Sequence, residues 1–201
     1  MEFETVVRRR RMVRAYQADR AVDRKSIEHF IDLAIHAPSA GFSQGWHFLV
    51  LDLPEAVQAF WRTAASEEAG NSWLDGMRSA PALILALSDK EAYLDRYAEP
   101  DKGWADKSEA RWPVPYWDLD TAMASMLILL AVVDHGLAGC FFGLPAEQWS
   151  AVREEFGIPD RLRPIGVISI GYPAADRPSP SLRRGRRDGP LVTSYQRFGM
   201  S

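Results

Sequence analysis

The chain has 201 residues, of which 47% are hydrophobic and 25% charged, and its net charge is -3 at pH 7. This composition predicts one globular domain over residues 1–201 and excludes a largely disordered protein. The acidic balance argues against a nucleic-acid partner. The single cysteine, Cys140, cannot form an internal disulfide, so nothing suggests an oxidising compartment. Because no signal-peptide pattern opens the chain and no apolar run has the length of a membrane span, we expect a cytoplasmic protein without a membrane partner.

The first quarter of the chain predicts an arginine-rich segment, a helix, a loop and a strand. The segment "RRRRMVR" (8–14) fits an early helix or an extended arm. A helix face follows Asp23, a candidate N-cap, and Pro38 ends that helix. The aromatic and β-branched run "WHFLVL" (46–51) predicts a strand. Between them, "PSAGFSQGW" presents hydroxyls, an amide and bare backbone, so it either turns the chain or holds a flat polar ligand.

The remaining elements alternate between helices and strands, which is typical of an α/β or α+β protein. A helix is expected to begin at Pro54 and run through "PEAVQAFWRTAASEEA", and another covers "PAEQWSAVREEFG". The apolar helix 118–136 either lies deep in the core or packs against a partner chain. The predicted strands are 81–88, 139–143 and 163–173. Residues 89–117 are polar, rich in tryptophan and irregular, so we expect an insertion or lid there.

Few residue patterns indicate catalysis by the protein's own side chains. No glycine-rich dinucleotide motif or P-loop is present, no histidine has metal-ligand spacing, and no nucleophile lies beside a base in an interpretable pattern. We therefore expect no metal. Two arginine clusters, 8–14 and 183–187, are either solvated charge or a phosphate site, since arginine offers a rigid fork of donors. Cationic anchors without acid–base pairs indicate an enzyme whose cofactor supplies the chemistry.

Four segments, in this order, resemble the nitroreductase family of flavoproteins. "RRRRMVRAY" is similar to the family's "RRSVRxF", and "APSAGFSQGWHFLVL" to "APSxxNxQPWxFxVV". The apolar helix leading into "GLAGCFFG" and the closing "IGYPAADRPSPSLRRGRR" resemble the family's later segments and its basic flavin anchor. The resemblance implies an α+β fold, with a central, mostly antiparallel sheet flanked by helices. It also implies an interlocked homodimer with FMN at the interface.

The resemblance also implies a cofactor-binding set. Its members are Arg10, Arg11, Met12, Arg14, Pro38, Ser39, Gln44, Phe142, Gly143, Arg184 and Arg186. Arg10 and the basic group 184–186 correspond to the phosphate anchors, whereas Arg11 and Met12 run along the ribityl chain. Arg14 corresponds to the cation near N1 and O2 of the ring, where it stabilises negative charge. Pro38, Ser39 and Gln44 lie beside the ring. Phe142 and Gly143 lie at its other face.

Three positions depart from the family pattern. Met12 replaces a serine, Phe42 replaces an asparagine, and Gly45 replaces a proline, which is expected to make the loop less rigid. These changes bear on the substrate more than on the flavin. Phe42, Trp46 and Trp112 are the candidate substrate contacts.

The function implied is an FMN-dependent oxidoreductase. It takes hydride from NADPH or NADH and reduces a small-molecule acceptor, such as a nitroaromatic or a quinone, by a ping-pong mechanism. The alternative is a flavin- or deazaflavin-binding protein without nicotinamide turnover, which carries, sequesters or degrades the flavin. A nucleic-acid-binding module using both arginine clusters is a third hypothesis, which the acidic net charge opposes.

Overall fold

The computed structural model describes residues 1–64, 72–175 and 179–199. The helices in these ranges are α1 (Phe3–Arg9), α2 (Arg24–Ala34), α3 (Pro54–Ala64), α4 (Ser72–Arg78), α5 (Lys90–Ala98), α6 (Tyr116–Asp134) and α7 (Ala146–Phe156). The strands are β1 (Trp46–Leu51), β2 (Ala82–Asp89), β3 (Ala138–Phe142) and β4 (Leu162–Gly171). The fold is therefore α+β, as predicted.

The four strands form one antiparallel sheet in the order β1-β2-β4-β3. β2 and β4 occupy its centre, and every residue of β2 from Ala82 to Ser88 is buried. A run buried on both faces explains why "ALILALS" is almost continuously apolar rather than alternating. The predicted central antiparallel sheet is confirmed.

Helices cover both faces of the sheet, so the core is divided into two clusters. One cluster packs α3, α4 and Val152 of α7 against the alternate residues Leu83, Leu85 and Leu87 of β2. The other packs α2 and α6 against the opposite face. This period of two along β2 places the side chains of neighbouring residues in different layers.

Helix α6 is the predicted apolar helix, and it begins two residues earlier than expected, at Tyr116. By length and composition alone it could cross a membrane, but half of its most apolar window is buried within the protein, as in a core helix. Its outer side nevertheless exposes a row of apolar side chains. We call the exposed Leu119, Met123 and Met126, together with the half-buried Leu130, the α6 stripe.

Two helices were not predicted from the sequence. Helix α4 lies at 72–78, and α5 occupies 90–98, so the description of 89–117 as irregular is wrong for its first third. Tyr93 of α5 is fully buried, which ties this segment to the core. The helix predicted from Pro54 is confirmed to Ala64, and the rest of its predicted length lies outside the described residues.

Candidate functional site

Arg10 lies where the chain leaves α1 and enters an extended segment, and it borders a cavity of 790 Å³. The lining residues are Phe3, Glu4, Val7, Arg8, Arg10, Met126, Leu130 and Arg186. Within the described parts of the chain, Nη1 of Arg10 is buried and has no hydrogen-bond partner. A buried donor without a partner costs free energy, and an anionic ligand in the cavity would remove that cost.

Arg186 reaches the same cavity from the other end of the chain, so the structure brings together Arg8 and Arg10 of the first arginine cluster and one member of the second. Gly185 precedes it with φ of 68° and ψ of -179°, a conformation that is essentially restricted to glycine. Arg184 is exposed in the short 3₁₀ turn before this glycine and does not line the cavity. Of the two predicted anchors near the C-terminus, only Arg186 is placed with Arg10.

The segment from Arg11 to Arg14 runs beside β3. Met12 forms a parallel bridge to Gly139, and the N–H of Val13 donates to the Gly139 carbonyl at 3.2 Å. The sulfur of Met12, at the position of the family's serine, accepts the N–H of Phe141 at 3.4 Å. Arg11 is exposed, and Arg14 is half-buried at the edge of α4.

Contact between α4 and the backbone of Arg14 depends on a glycine. A Cβ atom on Gly76 would lie 2.2 Å from the carbonyl oxygen of Arg14. We expect Gly76→Ala to lower the free energy of unfolding by about 1–3 kcal/mol in urea titrations, because backbone must move to admit the methyl group. Helix propensity alone predicts the opposite sign, a gain of about 0.5–1 kcal/mol.

The matched control for this substitution is Gly189→Ala. A Cβ atom there meets nothing within 4 Å, and its φ is not positive. Gly189→Ala should leave the unfolding midpoint within error. If Gly76→Ala is as stable as the wild type, the close contact at Arg14 is not real.

The loop 38–46 has an unusual backbone. Gly41, Phe42 and Gln44 have positive φ angles of 62°, 57° and 51°. The hydroxyl of Ser39 accepts the N–H of Gln44 at 3.0 Å, which closes the loop on itself. Phe42 is 74% exposed, although a bulky side chain in the left-handed region is strained. Strained residues with exposed side chains are common at ligand sites.

Gly45 has a packing role that the comparison with the family's proline did not indicate. It is buried, and its carbonyl accepts the N–H of Asp89 at 2.8 Å. A Cβ atom would lie 2.5 Å from the ring of Tyr93 and 2.6 Å from the carbonyl oxygen of Asp89. The glycine therefore permits close packing against β2 and α5, while the effect of the missing proline on loop rigidity stays a prediction.

Phe142 and Gly143, which the resemblance assigns to the second face of the ring, differ in exposure. Phe142 is buried, and its ring is stacked on that of Trp61, with the centroids 5.8 Å apart. Its side chain therefore belongs to the core. Gly143 is exposed and its Cβ position is open, so only backbone at the end of β3 is free to approach a ligand.

The candidate substrate contacts lie in different surroundings. Trp46 is half-buried against the α2/α6 core cluster. Trp112 is half-buried in a group of aromatic rings that also includes Tyr93, Tyr97 and Trp117. Among the described residues, the indole N–H of Trp112 is buried without a hydrogen-bond partner. Of the three candidate substrate contacts, only Phe42 presents most of its side chain to solvent.

One chain does not gather the whole predicted set around one cavity. The cavity of Arg10 and Arg186 is not lined by Pro38, Ser39 or Gln44. In the ranges 1–64, 72–175 and 179–199, no group of three histidine, cysteine, aspartate or glutamate side chains could hold a metal ion. What the described part of the single chain offers is a largely apolar cavity with three arginines, of which Arg8 is paired with Glu4, and, separately, a strained polar loop.

The fold is α+β, and one cavity gathers arginines from both ends of the chain. The model of the Nitroreductase family matches residues 7–172, and the chain belongs to this family. Oxidoreductase chemistry is thus the general class of its function.

Curated relatives are similar over most of their length. A protein of Archaeoglobus fulgidus, provisionally named NADH dehydrogenase/NAD(P)H nitroreductase, is 27% identical over 84% of this chain and 83% of its own. The 4-nitrobenzoate reductase of a Nocardioides strain is 28% identical over 88% and 82%. Iodotyrosine deiodinase 1 of Mus musculus is 23% identical over 96% and 69%.

Solved structures agree with this assignment. A nitroreductase family protein of Clostridium difficile has a TM-score of 0.70 at 25% identity, over 98% of this chain and 99% of that one. A protein of Exiguobacterium sibiricum, solved in complex with FMN, has a TM-score of 0.74 at 21% identity over 98% of both chains. At 21% identity, the similarity to the Exiguobacterium sibiricum protein shows a shared fold and no more.

Proposed function

We propose that the protein is a cytoplasmic, FMN-dependent oxidoreductase that takes hydride from NADPH or NADH and reduces nitroaromatics, quinones or similar acceptors. The observation that carries this proposal is the buried Nη1 of Arg10, which has no hydrogen-bond partner among the described residues and lies in a cavity shared with Arg186. Family membership and the FMN complex of a structural neighbour support the choice of FMN.

The residues of the cavity fit the phosphate end of FMN. Arg10 and Arg186 meet there beside Arg8, which is paired with Glu4, and arginine forks match phosphate oxygens with paired, charge-assisted hydrogen bonds. The positive-φ backbone at Gly185, which has no side chain, can follow the ligand closely. The rest of the lining is mainly apolar and comes from α1 and α6.

The remaining assigned residues orient the ring and its substrates. Bound FMN supplies the two-electron transfer itself. Arg14 places a fixed positive charge at the pyrimidine end of the ring, which stabilises negative charge there. Ser39 and Gln44 provide polar groups along the loop, and Phe42 limits the space left for the acceptor. One site then serves donor and acceptor in turn, which gives ping-pong kinetics.

We further propose that the active form is a homodimer. The α6 stripe leaves large apolar side chains in solvent, and Phe3 is 74% exposed beside it. The described C-terminal arm, 179–199, is exposed from Pro180 onwards and includes Leu182, Leu191 and Phe198. Such surfaces are unfavourable on a monomer and typical of subunit interfaces. A second copy would also bring its own loop 38–46 towards a shared site.

Anaerobic absorption spectroscopy tests the proposed function. The protein, purified and loaded with FMN, should show the yellow flavin band and lose it on addition of NADPH or NADH. The colour should return when a nitroaromatic or a quinone is added. A flavin band that neither nucleotide bleaches would favour the carrier hypothesis, and a protein that takes up no FMN would contradict the proposal.

A second candidate is reduction of an iodinated phenol by the same cofactor. The similarity to iodotyrosine deiodinase 1 of Mus musculus extends over 96% of this chain and favours it. Iodide release from iodotyrosine by the dithionite-reduced protein would support this function. Turnover of nitroaromatics without iodide release would oppose it.

A further inference from the structure

Four side chains of α5 and α6 hold the strained loop 38–46 from outside. We call them the loop clamp, and they are Tyr93, Arg96, Tyr97 and Asp120. The clamp makes two hydrogen bonds to the loop backbone and two ring contacts with its glycines. Three of its members belong to the segment 89–117 that we expected to be an insertion or lid.

Asp120 anchors the beginning of the loop. This residue is 2% exposed, and its Oδ2 accepts the backbone N–H of Ala40 and the hydroxyl of Tyr93, each at 2.8 Å. Burial and the hydrogen bond to Asp120 raise the pKa of Tyr93, so its hydroxyl stays protonated and donates. A carboxylate in an apolar helix is costly, and here its buried oxygen is used to fix the loop.

Arg96 anchors the middle of the loop. Its Nε donates to the carbonyl of Gly41 at 3.0 Å, and its two terminal nitrogens bind Asp101 at 2.7 Å each. The guanidinium therefore has a fixed orientation, because a bidentate carboxylate pair leaves it little freedom. The position of the Gly41 carbonyl is fixed in turn.

The two tyrosine rings fill the space next to the loop glycines. A Cβ atom on Gly41 would lie 2.6 Å from the ring of Tyr97, and one on Gly45 would lie 2.5 Å from that of Tyr93. These approaches are closer than any side chain allows, so the loop lies directly on the rings. The loop thus lacks room to relax towards α5.

The strain in the loop persists because these contacts determine the backbone on both sides of Phe42. A bulky residue keeps a positive φ only where surrounding contacts enforce it. These contacts therefore hold the ring of Phe42, which is 74% exposed, in a fixed position. The N–H of Phe42 donates to the carbonyl of Ser39 at 2.9 Å, which adds a local turn to these contacts.

We propose that the loop clamp determines acceptor selectivity by holding Phe42 in its positive-φ conformation over the acceptor site. Asp120 and Arg96 are positioning residues, since they act through the loop. This inference rests on the proposed function. It predicts that loosening the clamp admits wider acceptors while the transfer of hydride from NAD(P)H is unchanged.

Hydrogen exchange tests the clamp without any activity. In the purified, FMN-loaded protein, Asp120→Asn and Arg96→Gln should speed amide exchange in 40–44 by about tenfold, since local opening sets exchange there. Asp118→Asn is the matched control, because Asp118 lies on the same helix but binds Ser88 and Arg163. The control should leave exchange in the loop unchanged. Loop protection equal to the wild type in both variants would overturn the clamp.

Steady-state kinetics test the selectivity role. In Asp120→Asn, the ratio of kcat/KM for a three-ring quinone to that for benzoquinone should rise about fivefold, chiefly through KM. Phe42→Gly should raise the same ratio, and adding Asp120→Asn to it should have no further effect. If amide exchange in 40–44 is faster but the ratio of kcat/KM for the two quinones is unchanged, the selectivity role is overturned. If the wild type reduces no acceptor, the proposed function and the selectivity role both fail, but the exchange result still decides the clamp.

Discussion

Replacing Arg10 with alanine should weaken FMN binding by about ten- to a hundredfold. A charge-assisted hydrogen bond contributes about 1.5–3 kcal/mol, and each 1.4 kcal/mol is a factor of ten in affinity. Arg186→Ala should have a similar effect, because both residues line one cavity. Fluorescence titration of the apoprotein with FMN measures the loss.

The stability of the apoprotein separates a ligand-binding arginine from a structural one. Nη1 of Arg10 is buried without a partner within the described ranges, so the ligand-free fold gains nothing from that donor. Arg10→Ala should therefore leave the unfolding free energy of the apoprotein unchanged or raise it by up to about 1 kcal/mol. A structural arginine would show the opposite, lower stability with unchanged affinity for FMN.

Neighbouring arginines provide the controls. Arg9→Ala removes an equal charge one residue earlier, and Arg9 does not line the cavity. Arg184→Ala does the same near Arg186 and also tests the anchor that the family resemblance implies. Both controls should lower affinity by less than about threefold, since a charge at the surface is screened by salt. Wild-type affinity in both Arg10→Ala and Arg186→Ala would refute the phosphate assignment.

The sequence predicted the elements whose pattern is set by burial. The strand 46–51 has the bounds that its aromatic and β-branched residues indicate, and the apolar run 118–134 is a helix. Helix α5 was missed because "KEAYLDRYA" has a single fully buried residue, Tyr93, and thus no apolar periodicity. Its start signal was present in Asp89, whose side chain accepts the N–H of Ala92.

The site was harder to predict because its contacts join distant residues. Family resemblance assigns Arg10 and Arg186, but only the fold shows that they share a cavity while Arg184 does not. Asp120 was missed as a positioning residue, although a carboxylate inside an apolar helix is a signal that a partner must exist. That partner, Ala40, is 80 residues away, and no local pattern connects the two.

Placing an aspartate at Met126 should prevent formation of the homodimer that we propose. Met126 is 44% exposed at the centre of the α6 stripe. In a symmetric dimer the substitution occurs twice, and each buried, unpaired carboxylate costs several kcal/mol. The dimer dissociation constant should rise by about a thousandfold or more, which sedimentation at micromolar concentration reports as a change from dimer to monomer.

Leu53→Asp is the control for this change. Leu53 is 49% exposed and precedes α3, which packs on the opposite face of the sheet from α6. Leu53→Asp should leave the dimer intact, because the new carboxylate is exposed to solvent in both the monomer and the dimer. A dimer that persists in Met126→Asp would show that the stripe does not form the interface.

A second position on the stripe separates loss of the dimer from damage to the cofactor cavity. Met126 lines the cavity with Arg10, whereas Leu119 lies on the same stripe and does not. If Leu119→Asp also yields a monomer and that monomer binds FMN weakly, the partner chain completes the cofactor site. If the Leu119→Asp monomer binds FMN as the wild type does, one chain holds the cofactor alone, and the dimer has another purpose. The first outcome is the expected one, because the cavity of a single chain lacks the loop 38–46 and opens beside the stripe.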